Sequence, residues 1–135
     1  MKFMMIVKSS EKSGRPPQAL MDAIDKLAQE AGNTMLGGGG LGPTAAGARV
    51  RLSGGKIAVV DGPFTEAKEI IGGYAQFELK SKQEAVESAV QFMELHKKYW
   101  PGWEGETEIR TMVGPEDFHV SREYCSETAD IAHKP

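Results

Sequence analysis

Between residues 61 and 69 the chain reads Asp-Gly-Pro-Phe-Thr-Glu-Ala-Lys-Glu, which places Asp61, Glu66, Lys68 and Glu69 within a few residues of one turn. Asp61 ends an apolar run, Ile57 to Val60, where burial raises a carboxyl pKa and backbone N–H donors lower it. Such a group suits general acid or base work. Lys68 is placed to orient an anionic substrate or to pair with Asp61, and Glu66 or Glu69 to shuttle protons. Each has a plainer structural reading. Asp61 can hold an Asx turn, although Pro63 offers no N–H and the carboxylate must then reach Phe64 or another donor. Glu66, Lys68 and Glu69 can form a solvated face after Thr65, a residue suited to cap a short helix whose positive end favours Glu66. The candidate catalytic set is Asp61, Glu66 and Lys68. Gly62, Pro63, Phe64 and Glu69 form the candidate ligand-binding wall.

Tyr99, Trp100 and Trp103 flank Pro101-Gly102. Trp100 and Trp103 are candidates for an aromatic wall against a planar ligand; the competing reading packs them between a helix end and a sheet. His96 sits at the edge of a helical apolar stripe, a position that suits a satisfied boundary residue better than a catalyst. The three histidines, His96, His119 and His133, lie too far apart for zinc spacing, and no metal is expected. Gly37-x-Gly39-x-x-Gly42 matches the dinucleotide pattern, but Pro43 and a loop follow where the pyrophosphate needs a helix N-terminus. No cofactor is expected.

These residues need elements to position them. Lys2 to Lys8 reads as a strand apolar on both alternating faces, the pattern of burial from two sides. Leu20, Ala23, Ile24, Leu27, Ala28 and Ala31 recur at helical spacing, and Gly32 stops that helix. The glycine-rich run from Met35 reads as an extended segment with close backbone approach. Val50 and Leu52 alternate with Arg49 and Arg51, then Gly54-Gly55 turns the chain into Ile57 to Val60, a hairpin. Gly72-Gly73 is read as the end of a short helical turn, before Tyr74 to Lys80 alternates as a strand. A second helix runs from about Lys82 to Lys98, and Thr107 to Val113 forms a last strand.

The order predicts an α+β fold: a ferredoxin-like βαββαβ unit with an inserted β-hairpin over 1–113, then a partly flexible C-terminal extension over 114–135. Two helices cover only one face of such a sheet. The two-faced first strand therefore asks for a second copy of the chain.

The run VVDGPFTEAKEIIGGY resembles the signature of the YCII-related family, in its DGPF-domain branch, and the likeness extends from MKFMMIVK to about Val113. The resemblance implies units pairing as a dimeric α+β barrel, a homodimer with clefts lined by the motif. Some relatives act on small aromatic compounds, and a His–Asp pair has been proposed as catalytic there. The first helix here, PPQALMDAIDKLAQEAG, holds no histidine, so that mechanism does not carry over.

At 135 residues with 40% hydrophobic and 26% charged residues, the chain has one domain's length and an ordinary globular composition. A net charge of −3 with scattered basic residues predicts no nucleic-acid partner. No apolar run spans a bilayer and no leader pattern opens the chain, so no membrane association is expected. With one cysteine, Cys125, the expected location is cytoplasmic. Two functions remain open: a small-molecule (aromatic or carboxylate) acid–base enzyme of the dimeric-barrel type, or a non-catalytic module that binds a ligand or another protein in a regulatory circuit.

Overall fold

The computed structural model describes residues 1–64 and 69–114. Strand β1 (Lys2–Ser9) leads to helix α1 (Gln18–Ala31), strand β2 (Met35–Gly40), the hairpin β3 (Ala48–Ser53) and β4 (Lys56–Asp61), strand β5 (Ile70–Glu78), helix α2 (Lys82–Tyr99) and strand β6 (Gly105–Met112). Four strands form an antiparallel sheet in the order β2-β5-β1-β6, while β3 and β4 pair only with each other.

Alternation along β1 decides which face is buried. Phe3 and Met5 point to one side and are closed off by Ala85 and Ala89 of α2, with Phe77, Leu79 and Ile109 packed around them. The two alanines are small enough to let the helix lie close on the sheet, and burying each large side chain stabilises the fold by about 1.5–3 kcal/mol. Helix α1 packs against α2 and contributes the fully buried Leu20. Helix α2 starts where the Ser81 hydroxyl accepts the Glu84 N–H at 3.2 Å. Glu84 returns the favour by accepting the N–H of Lys80 at 2.9 Å, so two N-terminal donors are satisfied.

Several expectations are met. The glycine-rich run is strand β2, and Gly38 has φ 155°, where an added Cβ would stand 2.5 Å from the Tyr74 carbonyl oxygen. Gly54 and Gly55 take φ 59° and 75°, the positive values that a two-residue hairpin turn demands.

Others are corrected. The ferredoxin-like unit pairing as a dimeric α+β barrel is overturned: the described strands form two separate sheets, one of four and one of two strands, both open. The homodimer expected from the two-faced first strand and from the resemblance conflicts with the same open topology. Strand β1 is not buried from two sides within the chain, because Met4 and Ile6 on its second face are only half-buried. Gly72-Gly73 does not end a helical turn. Both glycines lie inside β5, which already starts at Ile70, and β1 shifts register beside them between Val7 and Lys8. The expected cap at Thr65 and the extension from Pro115, with Cys125, His119 and His133, lie outside the described residues. Among those described, no helix is long and apolar enough to cross a membrane.

Candidate functional site

Asp61 closes β4 opposite Ala48, and the chain then turns through Gly62 and a cis bond to Pro63. The corner is held by its backbone. Gly62 N–H donates to the Gly47 carbonyl at 2.9 Å, which extends the β3–β4 ladder by one rung. The backbone at Gly62 also presses on the single helical turn Thr44–Ala46. A Cβ at this position would stand 2.6 Å from the Thr44 carbonyl carbon and 3.2 Å from the Ala45 nitrogen, so only glycine fits.

Thr44 is pinned in turn by Glu11, which follows β1. The Glu11 carboxylate accepts the Thr44 N–H at 2.8 Å and the Thr44 hydroxyl. These bonds, the hydroxyl's first, hold the Glu11 carboxyl below its ordinary pKa, since they favour the charged acceptor. The corner is thus braced against the end of the main sheet.

Asp61 takes no part in that bracing. Its side chain is exposed and has no hydrogen bond or ion pair among the described residues. Phe64 lies half-buried beneath the Arg49 guanidinium, 3.9 Å from the ring centroid, a cation–π contact. Arg49 is opposite Val60, one residue out of step with Asp61, so the two side chains leave the ladder on opposite faces. Glu66 and Lys68 lie outside the described residues.

Glu69 is drawn to a different group. It stands 4.0 Å from Lys8, whose ammonium also lies 3.9 Å from Glu106 and bonds Glu108 at 2.7 Å. The Glu108 hydrogen bond raises the Lys8 pKa against the opposing effect of desolvation, and the other carboxylates add to the rise. Lys8 and then Arg110 hold Glu108 below its ordinary value. Sequence reasoning passed over this cluster and the Glu11–Thr44 brace. The alternation in "GETEIR" puts Glu106 and Glu108 on one face, which was legible; their pairing with a lysine a hundred residues away was not.

Trp100 and Trp103 are brought together, their ring centroids 5.8 Å apart, and they close over His96 rather than over an open cleft. The Trp103 ring centroid is 4.4 Å from that of the imidazole and the Phe92 centroid 4.6 Å from it. His96 Nδ1 lies 2.9 Å from the Phe92 carbonyl, which fits an Nδ1–H donor. Burial to 6% exposure pushes the imidazole pKa down. A shallow cavity of about 470 Å³ lies elsewhere, between α2 and β6, lined by Val86, Val90, Met93 and Ile109 among others, and none of the sequence-predicted site residues borders it. Among the described residues no group of three or more His, Cys, Asp or Glu side chains is placed to hold a metal.

A model of the YCII-related domain matches residues 1–92, more than half of the chain. No curated protein matches it.

Proposed function

The chain belongs to the YCII-related domain family, and we propose that it is of the DGPF type and acts on a small aromatic or carboxylate compound at the Asp61 corner. One observation supports this reading above others. Asp61 ends a strand at a braced corner, yet its carboxylate is spent on no internal bond among the described residues. A corner-holding aspartate accepts a turn N–H; here the Gly62–Gly47 bond and the Glu11–Thr44 contacts do the holding instead. The carboxylate is therefore available to a ligand, on backbone that does not need it.

In this role Asp61 accepts a proton from an acidic C–H or O–H of the ligand, or returns one. Gly62 and Pro63 supply a side-chain-poor wall that a ligand can approach closely, while Phe64, whose ring lies under Arg49, belongs to the proposed set through the sequence motif alone, as do Glu66 and Lys68.

Asp61→Asn tests the reading, because it keeps the shape and an acceptor while removing the base. Thermal-shift titration against small phenols and aromatic carboxylates should find a ligand that stabilises the parent protein. The variant should melt as the parent does and lose that stabilisation. A variant that keeps the full ligand shift, or that melts much lower with binding intact, would return Asp61 to a structural role.

A further inference from the structure

The cavity between α2 and β6 changes in chemistry along its length. Its α2 wall is one helical face, on which Val86, Val90 and Met93 follow one another with the small Ala89 between them. Ala89 is buried against the core and Val90 is 53% exposed, so this aliphatic seat runs from a closed floor to an open rim. Further along the same face Glu94 and Lys97 border the cavity, together with Thr107 of β6. Three residues apart on a helix is a spacing at which opposite charges pair. Here they do not: among the described residues neither Glu94 nor Lys97 makes a hydrogen bond or an ion pair. The Thr107 hydroxyl donates to the Met93 sulfur at 3.2 Å, which leaves its oxygen lone pairs as acceptors at the wall.

The cavity's volume, about 470 Å³, falls within the roughly 300–1,000 Å³ of small-molecule sites, which combine apolar walls with a few polar groups. The two unpaired charges select the occupant. A simple carboxylate suits Lys97 and is repelled by Glu94, an amine does the reverse, and a hydrocarbon matches neither. A molecule with both charges on one carbon matches both. We infer that the cavity binds a free α-amino acid with an aliphatic side chain. Its carboxylate meets Lys97, and its ammonium has Glu94 and the Thr107 oxygen as acceptors. Its side chain lies against Val90 and Met93. One helical turn, about 6 Å, separates Glu94 from Val90, a span that a leucine side chain covers. No residue of the Asp61 corner borders the cavity, so the two sites stand or fall separately.

The test titrates the full, nitrogen-15-labelled chain and reads amide chemical shifts. L-leucine should move the signals of residues 86–97 and 107–109. It should bind at least about tenfold more tightly than 3-methylbutylamine, 4-methylpentanoate or glycine, which lack in turn its carboxylate, its ammonium and its aliphatic side chain. Lys97→Gln should lower leucine affinity about tenfold and leave binding of 3-methylbutylamine as it was. Glu94→Gln should lower leucine affinity likewise and make binding of 4-methylpentanoate no weaker. Both side chains are exposed, so both variants should melt as the parent does. No shifts with leucine, shifts only away from α2 and β6, equal binding of any of the three fragments, or unchanged leucine affinity in both variants would each overturn the inference.

Discussion

Replacing Gly62 by alanine puts one methyl group against the backbone of the Thr44–Ala46 turn. The new carbon would press on the Thr44 carbonyl, with the carbonyl carbon at 2.6 Å and the Ala45 nitrogen at 3.2 Å. These are backbone atoms, and no side-chain rotation can relieve them. The turn at Thr44–Ala46 cannot slide away freely, because Glu11 holds Thr44 through its N–H and its hydroxyl. The 61–62 segment must move instead, and that breaks the 2.9 Å bond from Gly62 N–H to Gly47. Forcing a methyl into a filled site costs about 1–3 kcal/mol. Losing one backbone hydrogen bond adds about 1 kcal/mol. The expected loss is therefore about 2–4 kcal/mol, read as a lower urea midpoint in equilibrium unfolding followed by circular dichroism. Gly39→Ala is the matched control, since its added carbon meets nothing within 4 Å, and it should stay within about 0.5 kcal/mol of the parent. If Gly62→Ala unfolds at the parent midpoint, the corner is not braced in the way described.

Other perturbations have equally definite outcomes. Phe3→Ala empties the centre of the main core and should cost about 3–5 kcal/mol in the same urea assay. Gly105→Ala sets a carbon against the Trp103 ring and 2.6 Å from the Lys8 carbonyl oxygen, so tryptophan fluorescence should report a displaced ring along with a lower melting temperature. His96 has a lowered pKa in the fold, so the unfolded chain binds its proton more tightly. Stability from this residue is complete above the ordinary value of 6.5 and falls as pH drops below it, until the folded group is protonated too; a His96→Phe variant should lack that limb in melts from pH 8 to pH 5. Glu11 and Glu108 are held below 4.5, so their contributions are present above that pH and fade on further acidification; Glu11→Gln should flatten the acid limb of a pH–melting curve.

Local chemistry was readable wherever one residue type decides a conformation. Gly54-Gly55 announced a hairpin because positive φ is needed there, and the alternation of Tyr74 to Lys80 announced a strand. The same period-two reading stopped four residues short at Ile70, because two glycines inside a strand look like a breaker when no partner strand is visible. The burial of β1 was misjudged because alternation tells which residues share a face, not whether anything covers it. At the candidate site, Asp61's position at a strand end was legible. The brace that frees its carboxylate was not, since Glu11 and Thr44 are thirty-three residues apart and neither type is distinctive. Trp100 and Trp103 were found together from their spacing, but their enclosure of His96 depends on how the chain crosses from α2 into β6.

The place of β1 in its sheet bears on how the chain is made. It is synthesised before every other described strand, yet it lies in the interior of the sheet, paired to β5 on one side and β6 on the other. Neither neighbour exists when residues 2–9 leave the ribosome, and the second is complete only at Met112. At about 5–20 residues per second, the methionine-rich N-terminal strand waits several seconds with both edges open. The pairings it awaits span most of the chain, so loop closure rather than local propensity sets the pace of sheet assembly. Nascent chains arrested before residue 105 should accordingly bind chaperones through residues 2–9, and chains extended past residue 112 should release them.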